Sequence, residues 1–145
     1  MDEMTIVGVA EKGADIGALW QRFEAGADGI ANRVQGVGYE LHWYPAGEHD
    51  WQDVTVMVGV QVTEPGAIPD GMAARTLPAS RYAVFTHRLA EGGYEGANAA
   101  MDAWLEAGPY RLREQLSIQR YDSRFKGGDD PESEIDFLLP VVPRE

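Results

Sequence analysis

The chain has 145 residues, 44% of them hydrophobic, which suffices for one domain with an ordinary buried core. Twelve Lys and Arg against 24 Asp and Glu leave a formal charge of −12, which opposes nucleic acids and anionic membranes, since both are held by clustered cations. The lack of any cysteine excludes thiol catalysis, disulfide staples and Cys-based zinc sites.

No apolar run approaches the ~20 residues of a membrane span, and Met1-Asp2-Glu3-Met4 lacks the basic and apolar segments of a signal peptide. An acidic, cytoplasmic, single-domain chain is expected. Residues 4–9 are short, apolar and β-branched and predict a strand. Asp15 precedes Ile16, Leu19, Trp20 and Phe23, the stripe of an amphipathic helix. The glycine-rich residues 26–38 form a loop, and residues 39–44 a strand closed by Pro45. Its partner is residues 54–62, where Val54, Val56, Val58, Val60 and Val62 alternate with other residues, the mark of two different faces. Residues 64–72 hold two prolines and two glycines and connect. Residues 74–77 predict a short edge strand and residues 80–88 a strong strand stopped at Gly92-Gly93. Ala97, Ala100, Met101, Trp104 and Leu105 define a second helix, ended by Gly108-Pro109. Residues 117–124 alternate as a strand, residues 126–132 form a polar turn, and residues 135–142 a last strand before Pro143.

The order strand, helix, strand, strand therefore occurs twice, in halves of about residues 4–63 and 73–142. An α+β fold follows: duplicated strand-helix-strand-strand modules form an antiparallel sheet with helices on one face and a central groove on the other. A groove between related halves suits a small molecule.

Several segments together carry a family resemblance. They are Gly71-Met72, Leu77-Pro78-Ala79-Ser80-Arg81-Tyr82-Ala83-Val84-Phe85-Thr86-His87-Arg88, Trp104-Leu105, Ile118-Gln119-Arg120-Tyr121-Asp122 and Ile135-Asp136-Phe137-Leu138-Leu139-Pro140-Val141. In order and spacing the chain resembles the GyrI-like small-molecule-binding domain, also called the bacterial transcription-activator effector-binding domain, over about residues 4–142. The resemblance implies two modules around a central pocket, a domain often found as the C-terminal sensor of multidrug-responsive regulators. With no helix-turn-helix ahead of residue 4, it implies a stand-alone member. For such members it implies ligand binding, gyrase inhibition or, in some, hydrolysis of strained cyclopropane-containing toxins. The family's pocket glutamate commonly stands two residues before the strand tyrosine. Here that position is Gln119, two before Tyr121, and an amide brings neither the charge nor the base of a carboxylate.

The candidate ligand-binding residues are Tyr39, Trp43, Phe85, Trp104, Tyr110, Gln119 and Tyr121. Tyr39 and Trp43 alternate with Glu40, His42 and Tyr44 on a strand whose two faces are both part-aromatic, so the period leaves open which one lines the groove. Phe85 is a candidate by its place in the family pattern, Trp104 by its helix stripe, and Tyr110 by its position after the Gly108-Pro109 break. Gln119 and Tyr121 share a strand face with Ser117. Trp51, in a polar turn, reads as a lid or a surface contact, and Glu40 or Glu95 as a substitute for the missing pocket charge. Aromatic walls attract cationic organic compounds through their ring faces.

His42, His49 and His87 lack metal-pair spacing, and no nucleophile elbow or phosphate loop occurs. No catalytic residue, metal site or cofactor is assigned. Asp129, Asp130, Glu132, Glu134 and Asp136 read as a solvated hairpin turn, with an acidic rim or a surface for a protein partner as the functional alternative. The leading expectation is a non-catalytic domain that binds a neutral or cationic, aromatic or amphipathic compound, without a DNA-binding module. A hydrolase of strained or electrophilic small molecules and an acidic inhibitor of a partner such as DNA gyrase are the alternatives.

Overall fold

The computed structural model describes residues 2–144. In chain order its elements are β1 (Met4–Lys12), α1 (Ile16–Gly26), β2 (Gly38–Trp43), β3 (Thr55–Val62), β4 (Ala73–Leu77), β5 (Tyr82–Arg88), α2 (Gly93–Ala107), β6 (Tyr110–Leu112), β7 (Leu116–Tyr121) and β8 (Glu134–Pro143). The strands make one antiparallel sheet in the order β4-β1-β3-β2-β7-β8-β5, with β6 pairing the end of β8. Each half contributes a strand-helix-strand-strand unit, β1-α1-β2-β3 and β5-α2-β7-β8, and the halves join where β2 pairs β7. The fold is thus α+β, two helices on an eight-stranded antiparallel sheet.

Local chemistry sets the helix positions. The Asp15 carboxylate accepts from the Ala18 N–H at 3.1 Å and caps α1. Leu19 and Phe23 then pack on Val7, Val9, Val56, Val58 and Val60. Each such fully buried side chain stabilises the fold by about 1.5–3 kcal/mol. α2 begins where Gly92 takes φ of +91°, a left-handed turn that glycine adopts freely. Its Ala97 and Met101 pack on Ile135, Phe137 and Leu139.

Pairing places Val58, Glu40, Gln119 and Phe137 in one row across β3, β2, β7 and β8, on the face that both helices cover. The next row, Gly59, Tyr39, Arg120 and Asp136, points the other way. That second face is filled. Leu77 of β4 and Tyr82 of β5, from opposite edges of the sheet, join a single cluster with Ile6, Leu41, Met57 and Ile118. The sheet therefore curls until its edges share a core. Close backbone contact helps: a Cβ on Gly8 would lie 1.9 Å from the Val58 carbonyl oxygen, so β1 and β3 meet there without side chains.

This curl corrects the expected position of the groove. The open space lies on the helix-bearing face, between the helices, because the opposite face closes on itself. Two smaller differences follow from local chemistry. β6 is three residues long, too short to show a period. The strand expected over residues 117–124 ends at Tyr121, because the Asp122 carboxylate accepts from the backbone and side chain of Arg124 and turns the chain.

Candidate functional site

A cavity of about 750 Å³ lies between α1 and α2 above the β2–β7 seam. The sheet supplies its floor with Glu40, His42, Ser117, Gln119, Tyr121 and Phe137. α2 supplies one wall through Tyr94, Asn98, Met101 and Asp102, and Ile16 of α1 contributes opposite. Tyr44, His49 and Trp51 close the end beyond β2. Trp51 is 40% exposed, and its indole N–H donates to the Ala14 carbonyl at 2.8 Å, which fixes the ring at the rim. No lysine or arginine is among the lining residues.

The electrostatic centre is Glu40, only 4% exposed. Its Oε1 accepts from the Trp20 indole N–H at 2.9 Å, and its Oε2 lies 2.7 Å from His42 Nε2. With Glu40 ionised, Nε2 is the protonated ring nitrogen and donates. A buried carboxylate is tolerated only with such partners. The His42 ring in turn meets Trp51 edge-on at 5.7 Å.

Across the seam Glu40 stands directly opposite Gln119. The Tyr121 hydroxyl donates to Gln119 Oε1. Burial raises the Tyr121 pKa, and the charge of Glu40 and the nearby Tyr94 hydroxyl push it further up. The phenol therefore stays neutral and keeps its proton for donation. Burial likewise raises Tyr94, with its hydrogen bond to Tyr121 partly opposing.

Of the seven residues singled out from the sequence, Gln119 and Tyr121 line the cavity. The other five lie elsewhere. Tyr39 and Trp43 belong to the core on the opposite face, where the Arg75 guanidinium covers Trp43 at 4.3 Å. Phe85, Trp104 and Tyr110 form a stack of their own beside the cavity: Trp104 meets Phe85 edge-on at 5.4 Å and lies parallel to Tyr110 at 5.9 Å. Arg81 donates to the Tyr110 hydroxyl at 2.8 Å and completes that stack. Between the two substitutes considered for the pocket charge, Glu40 is in the cavity, while Glu95 is an exposed residue of α2 outside its lining. Tyr94, Asn98 and Asp102 were missed, although their spacing of four places them on one helix face. Among the described residues no cluster of His, Asp and Glu could hold a metal ion, and no helix is long and apolar enough to cross a membrane.

The transcriptional regulator BrlR of Pseudomonas aeruginosa is 32% identical over 132 residues, which cover 89% of this chain. The match spans 47% of BrlR, so the chain corresponds to about half of that relative. Two solved structures share the fold. The EcmrR C-terminal domain superposes with a TM-score of 0.73 at 14% identity, covering 99% of this chain and 94% of that one. SAV2435, solved bound to tetraphenylphosphonium, superposes with a TM-score of 0.66 at 16% identity, covering 98% and 90%. The model of the GyrI-like small molecule binding domain matches residues 1–142. With the duplicated fold and a cavity at its seam, this match identifies the chain as a member of the GyrI-like small-molecule-binding domain family.

Proposed function

We propose that the cavity captures an aromatic or amphipathic organic cation, and that residues 4–142 act as one ligand-sensing unit. The observation that carries this reading is Glu40, a buried carboxylate on the cavity floor among the rings of Tyr44, Trp51, Tyr94 and Tyr121. Its position opposite Gln119 returns a negative charge to the level of the sheet where an amide replaces the family's glutamate. Ring faces attract cations by about 0.5–2 kcal/mol each, and an ion pair at about 4 Å in an effective dielectric of about 20 offers roughly 4 kcal/mol before desolvation. The complex of SAV2435 with tetraphenylphosphonium supports a bulky organic cation as the ligand class. The likeness to one half of BrlR supports a sensory role within transcriptional control.

The test is titration of the protein with tetraphenylphosphonium, followed by quenching of the tryptophan fluorescence. Binding by the native protein and at least about tenfold weaker binding by Glu40→Gln, or roughly 1.4 kcal/mol, are expected. Equal affinity in the two proteins would remove Glu40 from ligand recognition.

A further inference from the structure

Glu40 is already in contact with a group that can carry positive charge. His42 Nε2 lies 2.7 Å from Glu40 Oε2, both side chains are largely buried, and both line the cavity. Among the described residues nothing bonds the other ring nitrogen, Nδ1, which is therefore the atom that would take up a second proton. We propose that His42 is a specificity-determining residue, an internal counter-cation that competes with the ligand's charge for Glu40. This inference rests on the reading of the cavity as a cation site and goes beyond it.

The competition is between charges. With His42 neutral, the Glu40–His42 pair carries a net charge of −1 and receives an organic cation. With His42 protonated, the pair is neutral, and a cation entering the cavity meets an imidazolium at ion-pair distance from the same carboxylate. A like charge opposes the entering ion by the same physics that favours it beside the bare carboxylate. Cation binding and protonation of His42 are then mutually exclusive in effect, and by linkage each weakens the other.

Other titratable groups face the pair from the surrounding elements. α2 presents Asp102 and Tyr94, β7 presents Tyr121, and the segment after β2 presents His49, whose ring stacks on Tyr44. α1 contributes only the uncharged Trp20 to Glu40. The other imidazole of this set is that of His49. It has its own backbone partner, the Gly47 carbonyl, at 2.9 Å.

Tetraphenylphosphonium is a suitable probe because its charge does not titrate. Its affinity for the native protein, measured by calorimetry between about pH 8 and about pH 5.5, should fall on acidification, by up to about tenfold per pH unit once the imidazole is charged. Binding heats near the middle of that range should depend on the ionisation enthalpy of the buffer, reporting a released proton. His42→Gln should flatten the pH profile and abolish the buffer dependence, whereas His49→Gln should leave both in place. The neutral dye N-phenyl-1-naphthylamine should show no such profile. A flat tetraphenylphosphonium profile in the native protein, or a profile lost in His49→Gln and kept in His42→Gln, would overturn the role of His42 and leave the cation site standing. Absence of tetraphenylphosphonium binding at every pH would overturn both. The buffer-dependent heats of the native protein, read beside those of His49→Gln, decide the inference even if His42→Gln folds poorly: heats kept in His49→Gln support His42, and heats lost there overturn it.

Discussion

A carboxylate with little access to water must have each oxygen satisfied, and Glu40 meets that demand with two side chains from different elements. Trp20 therefore does two things. Its ring packs edge-on against Phe23 and Tyr121, each at 6.0 Å, and its N–H holds Glu40 Oε1. Trp20→Phe keeps a ring in place but removes the donor, leaving a buried oxygen unpaired at a cost of about 1–3 kcal/mol. We expect the melting temperature to fall by several degrees, and the loss to shrink when Glu40 is first replaced by Gln, because an amide oxygen is cheaper to leave unpaired. Equal losses in the two backgrounds would mean that the indole N–H contributes nothing through Glu40. At this scale the sequence reveals residue type better than residue partner. The helical stripe correctly marks Trp20 as packed, but no pattern in residues 16–23 announces a bond to a residue twenty positions away. Tyr39 and Trp43 differ again: both faces of β2 are part-aromatic, and only the curl of the whole sheet decides which face is core.

Among the elements, β5, β7 and β8 are tied together on the face away from the cavity by Asp136. Its carboxylate accepts from Thr86 of β5 at 2.7 Å, from Arg120 of β7 at 2.7 and 3.2 Å, and from Arg124 at 2.6 Å. Burial alone would push this carboxyl upward, but the bonds from Arg124, Thr86 and Arg120 together outweigh it and hold the pKa at about 2. The sign follows from the folded value lying below the ordinary carboxylate value. The stability from this group is fully present above about pH 4 and is lost as pH falls toward 2. A displacement of this size corresponds to about 2 kcal/mol. Asp136→Asn leaves two guanidiniums without their shared carboxylate and should destabilise the protein at neutral pH by about 2–4 kcal/mol. Its denaturation midpoint should also become less dependent on pH between about 4 and about 2 than that of the native protein. An unchanged pH dependence in the Asp136→Asn variant would assign the acid transition to other carboxylates. The strands themselves are legible wherever apolar residues alternate over five or more positions, as in β3 and β8. The acidic residue in β8 looks like an extension of the solvated turn before it, since linear order places Asp136 beside Glu132 and Glu134. Only the pairing with β5 and β7 shows it as a buried junction.

For the whole molecule, the duplication explains why there is a cavity. Each half packs its own helix on its own strands, α1 on β1 and β3 and α2 on β5 and β8. The seam strands β2 and β7 are left between the helices with polar side chains, Glu40, His42, Ser117 and Gln119, facing the gap. Polar residues at a seam do not attract a third layer of helix, so the space stays open while the opposite face closes by curling. The repeat is visible in the sequence as a repeated element order. The side of the groove is not, because it depends on which face the curl consumes. Asn98 sits on α2 at the cavity wall with its side chain exposed, so Asn98→Trp puts a large ring into the space without disturbing the core. Stability should stay within about 0.5 kcal/mol of the native protein, as for most surface substitutions. Tetraphenylphosphonium binding should weaken by at least about tenfold, equivalent to roughly 1.4 kcal/mol. Ala99→Trp, at an exposed position one residue along the same helix but off the cavity lining, adds the same ring elsewhere and should bind as the native protein does. Undiminished binding by Asn98→Trp would move the ligand out of the gap between the halves. Equal losses in the two variants would point to a general perturbation of α2 rather than to a filled cavity.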